Sequence, residues 1–388
     1  MSTTASAPRT PRTPRATGAS GGRRTSASPG PTRHHNALRR RNTALGWSFI
    51  APNFIGFALI TMVPIILLFY MAFTDWNALT TPNWTGLANF ERLMRNTTFR
   101  AAVAQTFYYA IPHIILTGIL ALALAILLNQ KLKGVAFFRA AAFFPYITSI
   151  VAIAIVWNLL FSPTYGPINE ILHFFGVANP PKWTVSSTWA MPAIIIVGTW
   201  REMGYYMILF LAGLQTIPRE LYEAAKVDGA NAWQRFVHIT VPGLRPTTFF
   251  VTVMLAIQSF KVFDLIQVMT DGGPGTSTYV ISYFIYQKTL GYYSTGEFGY
   301  ASAASLVLFF ICLTVTVLQF IVNQQADLVK PWWSSLPMIV GLVFFALAVW
   351  GFCVGHALII GWGWYLVLFV LCFVAVGVHT SILRRRQS

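Results

Sequence analysis

Residues 102–128 read AVAQTFYYAIPHIILTGILALALAILL, a run without one Asp, Glu, Lys or Arg. A hydrocarbon core about 30 Å thick is crossed by about 20 apolar helical residues. Helix is also the state in which an isolated span satisfies its own backbone hydrogen bonds. The run is therefore read as a membrane-crossing helix. Working outward, comparable runs fall at 47–73, 136–161, 188–213, 246–270, 299–322, 336–354 and 358–380. Pro64, Pro112, Pro145 and Pro192 lie within or near the ends of these runs. Neighbouring helices re-satisfy the backbone that such prolines free. The expected fold is an all-α polytopic membrane protein. Eight spans fit, and so do six core spans followed by a C-terminal two-helix hairpin.

Composition points the same way. Of the 388 residues 55% are hydrophobic and only 10% charged, where a soluble domain carries about 25% charged residues. Mean hydropathy is +0.59. The 13 Trp, 15 Tyr and 31 Phe suit interfacial belts and tight helix packing. Cys312, Cys353 and Cys372 all sit inside apolar runs without CxxC or Cys/His spacing. Neither a disulfide framework nor a zinc site is expected from them.

The net charge of +16 is partly local. Residues 1–44 hold nine Arg and no acid among Ser, Thr, Pro, Gly and Ala. Such a segment cannot bury a core and is expected to be a disordered cytoplasmic tail that helps set topology. Nucleic acid is not an expected partner. Gly18-Ala19-Ser20-Gly21-Gly22 formally matches GxSxG, but no strand precedes it and no helix follows, so no nucleophile is assigned. The first apolar run begins near Ala44 and is too long for the h-region of a cleaved signal peptide.

Lys and Arg set the expected orientation. With the N-terminus inside, the inner segments carry 20 of these residues, among them Lys131, Lys133, Arg219, Lys226, Arg235 and Arg384 to Arg386. The outer loops carry five: Arg92, Arg95, Arg100, Lys182 and Lys288. Both termini are thus expected in the cytoplasm. The outer loop at 74–100 is turn-rich and ends in a short amphipathic piece. That at 271–297 opens on Asp271-Gly272-Gly273-Pro274-Gly275, a turn. Neither is expected to fold as a domain.

The longest inner loop, 215–245, is unusual for a connector. Pro218 precedes Arg219-Glu220-Leu221-Tyr222-Glu223-Ala224-Ala225-Lys226-Val227, a good helix former. Asp228-Gly229-Ala230 breaks it. Asn231 caps a second helix from Ala232 to Ile239, ended by Pro242. The loop is expected to be a compact helix–turn–helix outside the membrane. Small residues at its bend would let another protein approach closely. From the residues alone a structured linker fits as well.

Glu223-Ala224-Ala225, three residues, Gly229, nine residues, then Ile239-Thr240-Val241-Pro242 resembles the EAA loop of ABC importer permeases. Val241 stands where the family usually has Leu, which keeps the apolar role. Other stretches resemble the carbohydrate-uptake branch, in order over roughly 45–325: Trp157-Asn158-Leu159-Leu160-Phe161, Gly166-Pro167-Ile168-Asn169, Ala212 to Pro218, Phe260-Lys261-Val262-Phe263-Asp264, Thr270 to Pro274, and Gly299 to Ala304. The resemblance implies a six-helix permease domain over 45–325 in the cell membrane. It implies a second, similar permease subunit, a cytoplasmic ABC ATPase dimer, an extracytoplasmic solute-binding protein and surrounding lipid as partners. It also implies that the loop is a coupling helix on the ATPase, with Glu223 the polar anchor, Ala224 and Ala225 the contact floor, and Gly229 the bend. Asp228, Ala230, Ile239 and Pro242 complete that set. No GxxxxGK[ST] occurs, so ATP hydrolysis is expected on a separate subunit. No catalytic residue, metal or cofactor is assigned to this chain.

Charges inside spans are costly and face a cavity or a partner. Arg201 and Glu202 in the fourth span and Lys261 and Asp264 in the fifth stand out. Lys261 and Asp264 are i, i+3 and can pair on one helix face. Arg201 and Glu202 are adjacent and are expected to point to different faces. With Asn158, Trp200, Gln258 and Ser259 these residues are candidates for a solute pathway, or for helix–helix contacts. His113, His173, His238, His356 and His379 lack ligand spacing and read as packing or interfacial residues.

The chain departs from the family after its sixth core span. Residues 326–388 add two apolar runs and a basic end, with Gly351-Phe352-Cys353-Val354-Gly355 as a small-xxx-small pattern. A peripheral hairpin against the core is expected, or an appendage that contacts a subunit or lipid. The competing reading of the whole chain is an ion-coupled secondary transporter with Asp264 and Glu202 as coupling sites. A membrane enzyme would need clustered catalytic side chains, which the sequence lacks.

Overall fold

The computed structural model describes residues 47–130, 133–291 and 296–326. They fall in two compact units that divide between Pro64 and Ile65. The tail over 1–44 and the runs at 336–354 and 358–380 lie outside the described residues. Helix α1 (Trp47–Met71) is long and apolar enough to cross a membrane. Its turn at Ala58–Met62 is widened, and the Val63 N–H reaches back five residues to the Ala58 carbonyl. Pro64 follows at once. A proline has no N–H and crowds the carbonyl four residues back, so a wide turn ahead of it relieves the conflict.

In the second unit, α2 (Ala88–Arg95) is the expected amphipathic piece. α3 (Thr97–Leu128) is a continuous helix through Pro112, capped by the Asn96 side chain accepting from the Phe99 N–H. α4 (Val135–Ile147) and α5 (Ile150–Leu160) follow, then the short α6 (Pro167–Phe174) and the long α7 (Ala190–Thr216). Beyond α7 come α8 (Arg219–Val227) and α9 (Ala232–Gly243), then α10 (Arg245–Phe260), α11 (Asp264–Met269), α12 (Ile281–Thr289) and α13 (Phe298–Ala326). Among the described residues four helices (α1, α3, α7, α13) are long and apolar enough to span, or up to six spans if each bent pair is one. The described residues are helical, as expected. The only ladder contact among the described residues is an isolated bridge between Thr74 and Trp84.

The third expected span is not straight. α4 and α5 meet at a 98° bend, where Thr148 is extended. Such a bend frees backbone carbonyls, which a membrane tolerates only if they find donors. Two do. The Thr148 hydroxyl donates to the Phe144 carbonyl at 3.0 Å, and the Arg201 guanidinium of α7 donates to the Tyr146 carbonyl at 3.4 Å. The fifth expected span, 246–270, is also interrupted. α10 stops at Phe260, Phe263 leaves helical geometry, and α11 restarts at Asp264.

α7 is the most buried span and packs against α3, α4 and α10. Small residues carry its close contacts, as membrane helices require. A Cβ on Gly204 would lie inside van der Waals contact of the Ala142 carbonyl on α4. Ala110, Ala121 and Ala125 of α3 are fully buried. The loop before α12 opens on the expected turn, with Asp271 and Gly272 at positive φ. What sequence reading missed is α12 itself. Ile281, Tyr283 and Phe284 are buried, and the first N–H of the helix is taken by the Thr106 hydroxyl of α3 at 3.0 Å. The same end of the molecule is tied by Glu297, which binds both Arg92 of α2 and Lys288 of α12.

Candidate functional site

The loop that follows α7 folds as a self-braced helical hairpin. α8 begins just after Pro218, a residue suited to a helix start because that position needs no N–H. It ends on a complete glycine cap. The Gly229 N–H reaches the Lys226 carbonyl at 3.1 Å and the Ala230 N–H reaches Ala225 at 2.8 Å. Gly229 holds φ +79°, the left-handed conformation such a cap needs. Asn231 then starts α9 with a capping box: its side chain accepts from the Gln234 N–H at 2.8 Å and the Gln234 side chain accepts from its N–H at 2.8 Å. The Arg235 guanidinium donates to the Ala230 carbonyl at 2.6 Å. The hydroxyls of Tyr222 and Thr240, one from each helix, meet at 2.9 Å.

One boundary differs from expectation. Pro242 does not end α9, which runs on to Gly243. A wide turn at Phe236–Thr240 sends the Val241 N–H to the Phe236 carbonyl, so Pro242 is accommodated as Pro64 is in α1.

The hairpin presents the expected residues outward. Glu223, Ala224, Asp228, Gly229 and Pro242 are exposed, and Ala225, Ala230 and Ile239 are half-buried. No atom of this chain lies within 4 Å of a Cβ built on Gly229. Sequence reading missed the apolar part of this surface: Leu221 is exposed, Trp233 is 70% exposed and Val227 89%. Leu221 also lines a cavity of about 330 Å³ together with Ile217, Pro218, Ile239, Pro242 and Gly243. The signal was present in the sequence as apolar residues on a loop of otherwise polar character.

The polar residues of the spans separate into three places. Asn158 of α5 donates to the Val268 carbonyl of α11 at 3.3 Å and so braces those two elements. Trp200 is half-buried, edge-on to Trp157 at 5.4 Å. Glu202 lies in a buried cluster at the crossing of α3, α7 and α10. Its carboxylate is 3.6 Å from the Arg201 guanidinium and 3.9 Å from His113 Nε2. His113 Nδ1 is 2.8 Å from the Ser259 hydroxyl, and the His113 ring stacks on Tyr109. Two expectations change here. Arg201 and Glu202, although adjacent, turn their charged ends together. His113 packs, as expected, but does so beside a carboxylate. Gln258, Lys261 and Asp264 are exposed. Lys261 and Asp264 do not form the pair that their spacing allows, because the helix that would have aligned them breaks between them.

These features together are those of a polytopic transport permease. Residues 114–327 match the family model for the inner-membrane component of binding-protein-dependent transport systems, and the chain belongs to that family. Among curated relatives, the probable starch degradation products transport system permease protein AmyD of Thermoanaerobacterium thermosulfurigenes is 30% identical over 72% of this chain and 94% of its own length. The trehalose/maltose transport system permease protein MalF of Thermococcus litoralis is 32% identical, over 74% and 96% respectively. A solved bacterial ABC transporter involved in the import of the acidic polysaccharide alginate has a chain 25% identical with TM-score 0.66, covering 77% of this chain and all of that one. A second alginate transporter structure, in complex with an alginate pentasaccharide-bound periplasmic protein, gives TM-score 0.64 at 25% identity, over 74% and 96%. Several of these relatives carry the names of sugar transport permeases, the lactose transport system permease protein LacF of Rhizobium radiobacter among them, and such names do not favour the ion-coupled reading.

Proposed function

We propose that this chain is one permease subunit of an ATP-binding-cassette importer that passes a sugar or related polyol across the cytoplasmic membrane. The observation that carries the proposal is the hairpin of α8 and α9, braced from within and exposed on its outer side. A loop that needed no partner would have little reason to hold Trp233 and Val227 in water. In this reading the hairpin docks on a separate ATPase subunit. Glu223 supplies a charged anchor, Ala224 and Ala225 a close floor, and Gly229 a bend with no side chain in the way. ATP hydrolysis belongs to that ATPase, which would occur as a dimer.

The remaining partners are a second, similar permease, an extracytoplasmic solute-binding protein and lipid. The names of the relatives and the periplasmic protein bound to the alginate transporter support this assembly. Both termini would be cytoplasmic, so that the hairpin faces the ATPase. The permease domain would cover 45–325, with a basic tail over 1–44 and an added hairpin over 326–388. Gln258, Lys261 and Asp264 are exposed on a membrane segment. A charged group does not face hydrocarbon there, so this surface meets a water-filled pathway or the partner permease. Trp200, Glu202 and Asn158 would form its deeper wall.

The test is co-purification from membranes of the native source in mild detergent. Wild-type chain is expected to bring down a second permease and an ATPase. The double variant Glu223→Ala, Gly229→Asp is expected to keep the permease and lose the ATPase. Isolation of the wild-type chain with no ATPase would defeat the proposal.

A further inference from the structure

α6 lies between α5 and α7, at the end of α7 opposite the coupling hairpin, and it has three distinct faces. Ile168 and Leu172, spaced i, i+4, pack on the core around α5 and α7. Asn169 beside them is buried, accepts from the Trp183 indole N–H at 2.8 Å and donates to the Pro181 carbonyl at 3.4 Å. The helix is therefore fixed in rotation. A second face carries Glu170 and His173, spaced i, i+3, both exposed. The third carries Ile171, Phe174 and Phe175, spaced i, i+3, i+4, which are 56%, 86% and 76% exposed. The helix stops on a glycine cap: Val177 N–H reaches the Leu172 carbonyl, Gly176 N–H reaches His173, and Gly176 holds φ +86°. The cap turns the chain back directly after Phe175, so the two rings end the helix as a pair standing clear of the fold.

We propose that α6 is an interfacial helix whose Ile171, Phe174 and Phe175 face lies in the acyl–headgroup boundary of the leaflet opposite the coupling hairpin. Three observations select lipid as the occupant. The helix begins seven residues after the end of α5, which together with α4 is long and apolar enough to form one bent span, and on that reading it starts at the bilayer edge. One face holds apolar side chains and the adjacent face a carboxylate and an imidazole, the division found in helices lying flat in an interface. Trp183 and Trp189 pack together between α6 and the start of α7, and tryptophans gather at that depth. α6 thus sets how deeply the α5–α7 connection sits, without crossing the membrane.

The test uses full-length chain in its native complex, reconstituted in vesicles of phosphatidylethanolamine and phosphatidylglycerol. Cys312, Cys353 and Cys372 are first replaced by Ser. A nitroxide is attached at Phe174→Cys, at Phe175→Cys or at Glu170→Cys, and its relaxation by oxygen and by a water-soluble nickel chelate is measured. Labels at 174 and 175 are expected to favour oxygen over nickel several-fold more than the label at 170. Equal nickel access at all three positions would overturn the proposal. So would shielding at 174 and 175 that appears only when the solute-binding protein is added, which would assign the face to that protein.

Discussion

Gly204→Ala probes the contact on which the bent third span depends. The added methyl would meet the Ala142 carbonyl and the Phe143 Cα of α4, which are backbone atoms and cannot swing aside. Overpacking a close-packed site costs about 1–3 kcal/mol, and a backbone obstacle puts this case near the upper end, about 3 kcal/mol. The two helices must separate, and the same interface carries the Tyr146–Tyr205 stack at 4.4 Å and the Arg201 bond to the Tyr146 carbonyl. At an unfolding entropy of about 2.1 cal/mol/K per residue, a loss of about 3 kcal/mol lowers the melting temperature of a 388-residue chain by about 4 °C. The assay is heat treatment of the detergent-solubilised complex followed by size-exclusion chromatography. Gly118→Ala is the control: its methyl would find only Leu255 Cδ1, at 3.9 Å, and should be nearly neutral. If Gly204→Ala melts with the wild type, or both variants fall together, the close approach of α4 and α7 is refuted.

Other outcomes follow from single contacts. Asn231→Ala removes one half of the capping box and should loosen α9 by about 1 kcal/mol, seen as faster amide exchange over 232–235 and weaker ATPase retention. Trp183→Phe leaves the buried Asn169 oxygen without its donor, which costs about 1–3 kcal/mol and should speed exchange across α6. The Asn83 backbone and side-chain N–H groups donate to Asp75 and hold its carboxyl below the ordinary value of 3.8. A lowered folded pKa stabilises above the unfolded value and loses that contribution as pH falls through the folded one. The Asn83 amide should therefore stay protected down to pH 3.8 and lose protection below it, and Asp75→Asn should abolish this step.

Much of the fold was legible because apolar runs long enough to span have few other uses. The glycine cap at Gly229 and the Asn231 cap were legible for a similar reason, since both are local devices written in consecutive residues. What escaped depends on partners distant in sequence. The bend between α4 and α5 is held by Arg201, more than fifty residues away, acting on the Tyr146 carbonyl. The pairing of Lys261 with Asp264 followed correctly from helical spacing and failed because the helix itself stops at Phe260. α12 was hidden because a short helix with a mixed pattern resembles a loop until Thr106 and its buried neighbours give it a place. His113 gave no motif, and only the crossing of three helices brings it to Glu202.

The most direct test of the coupling proposal is a crosslink at the floor of the hairpin. Cys312, Cys353 and Cys372 are replaced by Ser, and Ala224→Cys is introduced on the exposed face of α8. A short thiol-to-amine reagent is then applied to native membranes and the adduct identified by mass spectrometry. One dominant product joining this chain to an ATPase subunit is expected, absent when the cysteine is placed instead at exposed Leu79 of the 74–100 loop. Crosslinks from position 224 to lipid-facing proteins or to nothing at all, with Leu79→Cys reacting alike, would contradict the coupling proposal.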